Sequence, residues 1–360
     1  MNIPEVVPPR HLTFSLLRLL TDGEFHSGEV LAQQLGLSRA SVNNALRDVA
    51  SYGLTLYSVR GRGYRLVDAP QWLDTDKILA ALKTPEIFHV EIADTAVSSN
   101  TVLLQRAALG ASSGSLLAVE WQSAGRGRLG RTWHSGLGNS LTFSLLWRFG
   151  FGLSALSGLS LAVGVAMMRA LRKLGVESVG LKWPNDVLNQ IVHLEVGRAS
   201  ARHVGLKPDL QINNPGLNPH GKLAGILIEA QGDMLGPSVV VIGIGLNLRL
   251  PPAVAQRIDQ PVSDLAQVMA EMPERNYLLA LLLQELAEML DVFSRHGFSP
   301  LRAEWESYHA YQNRQVKMLL PDGSQIVGLV QGVTEEGALR VETKQGEQIF
   351  NAGEISLREA

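Results

Sequence analysis

Residues 149–168, FGFGLSALSGLSLAVGVAMM, carry no charged side chain. A run of about 20 apolar residues can cross a bilayer, so it must be hidden either in lipid or inside a large protein core. This one holds four glycines and three serines. Its first residues read as a strand end and a turn, and the helical part begins near Ser154 or Ser157. It closes on RALRKLG, basic residues followed by glycine, the ordinary ending of a soluble helix. The expectation is a buried helix and no membrane partner. Such a helix needs packed layers around it, and 360 residues supply them in two or three domains.

The rest of the composition narrows the class. Hydrophobic content of 46% with 18% charged residues describes an ordinary globular chain. A formal net charge of −2 excludes a protein that coats nucleic acid along its whole length, so any nucleic-acid contact must be local. The absence of cysteine removes disulfides, thiolate catalysis and zinc-finger sites, and is compatible with a reducing cytoplasm. The start, MNIPEVVPPR, lacks the charged beginning and apolar run of a signal peptide, so a cytoplasmic location is expected.

Residues 1–68 form a compact pattern. Leu12, Leu16, Leu19 and Leu20 share one helical face, GEVLAQQL makes a second helix, and Ser38 can cap a third through RASVNNALRDVASYG. In that third helix Val42, Ala45, Leu46 and Val49 form an apolar back, while Arg39, Ser41, Asn43, Asn44 and Arg47 form a polar front. LYSVRGRGYRLV follows as a β-hairpin with Arg60 and Arg62 at its tip. Five arginines and one acid lie between residues 38 and 65. Helix, helix, turn, helix and basic hairpin outline a winged helix–turn–helix. The front residues are then expected at DNA base edges and phosphates, and the hairpin arginines at phosphate or in the minor groove. The alternative is a small helical packing module with an incidental basic face. VDAPQWLDTD, 67–76, reads as a linker separating this module from a second core.

Several motifs follow. SSN, Ser98 to Asn100, opens a helix, either as caps or as groups to hydrogen-bond a polar, uncharged heterocycle. A strand ending at Gln122 runs into GRGRLGR, 125–131, three arginines and three glycines in seven positions, with Trp133 just beyond. Deformable backbone with permanent charge suits a loop folding around a small anion, although a solvated turn or a nonspecific nucleic-acid patch has the same composition. KWPND places Lys182 at a strand end before the turn residues Asn185 and Asp186. SVVVIGIGLN is a strand in which Gly243 and Gly245 would let a flat ligand lie on the backbone. It is no dinucleotide fingerprint, because a strand surrounds it. No Walker motif or Ser-His-Asp set is present, and no protein metal site is expected.

SSN, WQSAGRGRLGRTW, KWPND, KLAGILIE and GIGLN, in this order and spacing, resemble the biotin–protein ligases. With the N-terminal module, the chain is similar to the bifunctional biotin ligases and biotin-operon repressors of bacteria, over nearly all of residues 10–358. The resemblance implies a multidomain α+β protein: a winged helix–turn–helix over 1–68, a class II aminoacyl-tRNA synthetase-like α/β catalytic domain over 75–311, and an SH3-like β-barrel over 312–360. Short strands between turns in 313–358 suit the last. It implies formation of biotinoyl-5′-AMP from biotin, ATP and Mg²⁺, then transfer of biotin to a lysine of biotin carboxyl carrier protein. It further implies binding to the operator DNA of biotin genes as a homodimer when adenylate-bound. Competing expectations are a ligand-sensing repressor without ligase activity and a lipoate–protein ligase of the related fold.

By the same resemblance, biotin would meet Ser98, Ser99, Asn100, Gln122, Arg126, Gly127, Arg128, Trp133, Lys182, Gly243 and Gly245. The nucleotide would meet Gly125, Arg128, Arg131, Lys182, Asn185 and Asn247. Lys182, Arg126 and Arg128 would be catalytic. A carboxylate attacking a phosphate is anion meeting anion, so fixed positive charge must offset the repulsion, and Arg128 and Lys182 do not ordinarily titrate near neutral pH. Two departures from the family pattern stand out: Leu129 at an often basic position, and the segment 190–221, whose Asn-Pro-Gly composition reads as an extended loop.

Overall fold

The computed structural model describes residues 9–190, 221–320, 322–352 and 356–359. At the N-terminus, α1 (His11–Leu19), α2 (Gly28–Leu35) and α3 (Arg39–Leu46) pack on one another. Ser27 accepts the Val30 N–H and Ser38 the Ser41 N–H, each at 3.1 Å, so both later helices start on a hydroxyl cap. Gly36, at φ 64°, ends α2 in the left-handed conformation and makes the turn tight. α3 is shorter than expected. Its continuation tightens into a 3₁₀ turn at Val49–Tyr52, which brings the Tyr52 ring edge-on to Trp121 with centroids 5.9 Å apart. The antiparallel hairpin β1 (Leu56–Val59) and β2 (Gly63–Leu66) carries Arg60, Gly61 and Arg62 at its tip.

The segment expected as a loose linker is instead packed on both sides. Trp72 reaches back: its Nε1–H donates to Thr21 Oγ1 at 3.0 Å, and the Arg18 guanidinium lies 4.5 Å from its ring centroid. Leu73 points the other way, into the central core. The N-terminal core also includes Trp121 and Leu137 from beyond the linker, so the two cores are not separate. Short apolar stretches next to Gly, Pro and Asp read as linker from composition, but here each large side chain finds a pocket.

Beyond it come α4 (Thr75–Ala81), β3 (His89–Ala96), α5 (Ser99–Ala108), β4 (Ser115–Gln122), the two-residue pair β5 (Gly125–Arg126) and β6 (Thr132–Trp133), and β7 (Ser140–Phe149). Then follow α6 (Leu159–Lys173), β8 (Val179–Lys182), β9 (Asp186–Asn189), β10 (Lys222–Gly232), β11 (Ser238–Asn247), α7 (Pro252–Ala255), α8 (Arg275–His296) and α9 (Arg302–Tyr308). Seven strands form one sheet in the order β3-β4-β7-β11-β10-β9-β8, with β3 and β4 parallel and the other pairs antiparallel. Helix α6 comes from the charge-free run. With the turn before it, the helical stretch Leu153–Lys173 is long and apolar enough to cross a membrane, yet almost every residue from Leu159 to Leu171 is buried, in a core shared with α8 and one sheet face. The opposite face is covered by α5 over Leu117, Val119, Leu146 and Val241.

β9 and β10 are antiparallel neighbours, and the Asn189 N–H donates to Gly221 O at 2.9 Å. The flanks of the expected insertion 190–221 are thus already paired, while residues 191–220 lie outside the described residues. The C-terminal strands β12 (Gln315–Leu319), β13 (Gln325–Val333), β14 (Leu339–Thr343), β15 (Gly346–Phe350) and β16 (Ser356–Glu359) form an antiparallel sheet ordered β15-β14-β13-β12-β16. Trp183 Nε1–H donates to Gly337 O at 3.1 Å, tying this domain to the β8–β9 turn.

Because Trp121 and Leu137 are only 5% and 0% exposed through contact with the N-terminal core, removing residues 1–68 should destabilise what remains. Uncovering two large apolar side chains costs about 3–6 kcal/mol, which corresponds to a fall on the order of 10 °C in Tm. Calorimetry of the full and truncated chains measures it, and equal midpoints would show two independent cores.

Candidate functional site

The site begins with strand parity. Along β11, Val240, Ile242, Ile244 and Leu246 enter the main core, so Val239, Val241, Gly243 and Gly245 face α5. Where the valines give way to glycines a pocket opens beside that face. Gly243 pairs across the strands with Ser144 and Leu227, and Gly245 with Thr142 and Gly225. The glycines are required by close approach. A Cβ on Gly243 would lie 2.1 Å from Asn100 Oδ1, and one on Gly245 2.4 Å from Trp133 Cε2.

The start of α5 supplies the polar end. Ser98, Ser99 and Asn100 are all buried, and Ser98, the residue before the helix, makes no side-chain capping bond. Their environment is a hydrogen-bonded chain. The Ser99 N–H donates to Gln122 Oε1 at 2.7 Å, and Ser144 Oγ lies 2.7 Å from Ser99 Oγ and 2.5 Å from Asn100 Oδ1. Asn100 Nδ2 donates to Glu229 Oε2 at 3.0 Å, and the other oxygen of Glu229 accepts from Arg126 at 3.0 Å. The pocket interior is therefore polar and presents no free charge at its ring of serine, asparagine and glutamine.

Toward its mouth the charge rises. Arg128 donates to Asn185 Oδ1 at 3.1 Å and to the backbone oxygen of Ala352, so the glycine–arginine loop is pinned to the β8–β9 turn and to the C-terminal domain. Lys222 pairs with Asp186 at 2.7 Å and stands 5.7 Å from the Trp133 ring centroid. The pocket continues into a wider cleft, lined by Arg128, Arg131, Lys182, Lys222, Arg257 and Arg358 against Asp186 and Asp259. Such a surplus of cations suits a polyanion. Burial lowers the Lys182 ammonium to about 8, with Arg358, Lys222 and Arg131 adding repulsion and Asp186 opposing the shift. This corrects the expectation that Lys182 would keep its usual lysine range: its strand-end place is drier than the sequence suggests.

Of the residues singled out in the sequence, Ser98, Ser99, Asn100, Gln122, Arg126, Gly127, Arg128, Trp133, Asn185, Gly243 and Gly245 line the inner pocket. Arg131 and Lys182 line only the outer cleft. Two line neither. Gly125 sits in the β5–β6 ladder opposite Trp133, and Asn247 is buried at the end of β11, donating to Ser263 O at 3.0 Å. Arg126 reaches the pocket but is engaged by Glu229. Sequence reasoning passed over Ser144, Lys222, Glu229, Arg257 and Arg358. For Ser144 and Glu229 the signal was alternation: each lies two residues from a position already facing the ligand side. In the N-terminal module, Arg39, Asn43, Asn44, Arg47, Arg60 and Arg62 are exposed, whereas the Ser41 hydroxyl is engaged with Ser38 Oγ at 2.9 Å. Arg62 lies 4.1 Å from the Phe25 ring centroid, which braces the hairpin tip.

The same three-part order appears in known families. Residues 13–65 match an HTH domain, 95–247 the biotin/lipoate A/B protein ligase family, and 312–358 the biotin protein ligase C-terminal domain. The chain is 35% identical over 346 residues to the bifunctional ligase/repressor BirA of Escherichia coli (strain K12), covering 96% of this chain and 97% of that protein. It is 28% identical over 336 residues to the protein of that name from Bacillus subtilis (strain 168), covering 93% and 94%. Among solved structures, a biotin protein ligase from Aquifex aeolicus in complex with biotin and ATP superposes with a TM-score of 0.57 at 25% identity, covering 75% of this chain and 98% of that one. By its likeness to such relatives along almost its whole length, the chain belongs to the biotin protein ligase family, among the bifunctional ligase/repressors.

Proposed function

We propose that this protein joins biotin to a lysine of biotin carboxyl carrier protein through biotinoyl-5′-AMP, and that the adenylate-loaded form represses biotin genes as a homodimer in the cytoplasm. The observation that carries the reading is the polarity of the joined cavities: an uncharged hydrogen-bonding pocket opens past Arg128 into a cationic cleft. A ligand with a neutral polar ring at one end and a carboxylate at the other fits the first part, and a nucleotide triphosphate the second. Mg²⁺ enters as part of the ATP substrate, held mainly by phosphate oxygens.

In this reading Ser98, Ser99, Asn100 and Gln122 hold the ureido ring, Gly243 and Gly245 let Asn100 and Trp133 close against β11 beside it, and Trp133 walls the pocket. A biotin carboxylate oxygen attacks the α-phosphorus of ATP, forming a C–O–P link as diphosphate leaves. Gly127, Arg128 and Lys182 border the reacting anions, with Arg131 and Asn185 on the nucleotide side. The carrier lysine, as a free amine, then attacks the acyl carbon; an amide forms, AMP departs, and the amine's proton goes to solvent or to AMP. On DNA, Arg39, Asn43, Asn44 and Arg47 of α3 meet the major groove, and Arg60 and Arg62 meet phosphate.

Incubation with biotin, MgATP and a carrier domain tests the activity: the carrier should gain the mass of one biotinoyl group. No gain with biotin, or a gain with lipoate in its place, would reject the reading.

Loss of the Arg128 guanidinium should loosen the intermediate. Hydrogen bonds to charged groups contribute about 1.5–3 kcal/mol, so Arg128→Gly should release biotinoyl-AMP roughly 10- to 150-fold faster. Stopped-flow measurement of release reads this, and equal rates in both proteins would remove Arg128 from the phosphate.

The lowered Lys182 also sets a pH dependence. The side chain is charged below about 8 and neutral above it, so its stabilisation of the phosphates in the free enzyme is lost as pH rises through that value. The kcat/KM for adenylate formation should fall above pH 8, and Lys182→Arg should flatten that limb. An unchanged limb in the arginine variant would assign it to another group.

A further inference from the structure

We propose that Glu229 is a positioning residue for ligand recognition: its carboxylate locks the Asn100 amide with the oxygen turned into the pocket. The proposal rests on the biotin-site reading above and names a residue that acts from behind it.

The geometry admits one amide orientation. Both nitrogen hydrogens of Asn100 point at acceptors, Leu227 O at 3.3 Å and Glu229 Oε2 at 3.0 Å. The amide oxygen accepts from Ser144 Oγ at 2.5 Å. Turning the amide over would set its oxygen against a carbonyl and a carboxylate at once. That arrangement faces three acceptors toward one another, and it is the charge on Glu229 that makes it most costly. The oxygen so fixed packs against Gly243, 2.1 Å from where a Cβ would stand, and Asn100 forms part of the pocket wall there. An acceptor at that place selects a ring N–H.

The second oxygen of Glu229 is occupied too. Arg126 holds it at 3.0 Å, with the Glu229 side chain 20% exposed and that of Arg126 50% exposed. A carboxylate braced on both oxygens has little freedom to follow its partners. The pairing also gives Arg126 a task distinct from that of Arg128: it balances the carboxylate at the ring end, while Arg128 and Lys182 serve the reacting anions. Glu229 owes its place to parity on β10, where Gly225, Leu227 and Glu229 alternate with core residues Ala224, Ile226 and Ile228.

The test uses the full chain and steady-state kinetics with biotin, MgATP and carrier. Glu229→Met keeps the length of the side chain and removes both acceptors. The biotin KM should rise about tenfold, while the ATP KM and the kcat at saturating biotin stay within about twofold. Glu229→Gln can still accept the Asn100 N–H and should recover most of the loss, which a purely packing role would not distinguish from methionine. In an Asn100→Ala background, Glu229→Met should add less than about twofold, because the two residues act as one unit. Should the methionine variant fail to fold, Glu229→Ala carries the same cycle. The proposal is overturned if Glu229→Met leaves the biotin KM unchanged, if its effect multiplies with that of Asn100→Ala, or if kcat falls as much as KM rises. If Asn100→Ala itself leaves the biotin KM unchanged, the site reading fails along with it; a rise there without one for Glu229→Met removes only the positioning role.

Discussion

The ion pair between Glu120 and Arg275 is nearly sealed from water, the side chains being 0% and 3% exposed, and four elements meet on it. Arg275 opens α8 and donates to Glu120 Oε2 at 2.9 Å, to Ser140 O on β7 at 3.1 Å, and to the backbone oxygen of Gln71. The other oxygen of Glu120 accepts the Leu73 N–H at 2.7 Å. Two buried charges attract strongly but were costly to desolvate, so such a pair adds little over apolar side chains of the same volume. Its importance is directional. Removing either partner strands a charge, at about 3–5 kcal/mol, and there is one arrangement of strand, helix and connecting segment that satisfies both. The backbone of 71–74 is held by this pair and by Asn276, whose Oδ1 accepts the Asp74 N–H at 2.7 Å.

That fixation reaches the ligand site through β4. Glu120 faces α8, Trp121 faces the N-terminal core, and Gln122 faces the Ser99 N–H: three successive residues serve three neighbours. A strand turns successive side chains to opposite faces, so Glu120 and Trp121 diverge, and Gln122, the last residue of β4, turns to the start of α5. Tyr52 against Trp121, and Arg257 donating to Ser51 O at 3.2 Å, place the N-terminal module against the strand end and against a wall of the outer cleft. The ligand pocket is thus assembled on a frame to which the N-terminal module contributes packing.

What the sequence disclosed follows from which interactions are local. The cap at Ser38, the tight turn before it and the alternation through SVVVIGIGLN are set by neighbours within a few residues, and the structure bears them out. The clustering of SSN, GRGRLGR, KWPND and GIGLN was legible because each is a short motif carried whole by one turn or strand. The packing of 67–76 was not. Trp72 and Leu73 read as linker by their Pro and Asp neighbours, and their partners, Thr21 and the central core, are distant in sequence. Lys182 was legible as a cation but not as a desolvated one, because groups around it, such as the Tyr311 ring 6.0 Å away and the charge of Arg358, are distant in sequence. Asn247 shows the converse. Its place after GIGL suggested a ligand contact, but β11 ends by turning that amide toward Ser263.

The lowered Lys182 also explains how a cationic cleft can exist before any anion arrives. Arg131, Lys182, Lys222 and Arg358 repel one another, and Asp186 offsets only part of this. A guanidinium has no accessible neutral state, so the arginines must bear the repulsion. Lysine can yield, and burial moves Lys182 toward the neutral form while the cleft is empty. A polyanion opposes the repulsion by supplying opposite charge next to the ammonium. Lys182 then holds its proton more tightly just where negative charge accumulates, so binding of the nucleotide near pH 8 draws a proton onto the site. The cation is held most firmly in the state where negative charge accumulates beside it.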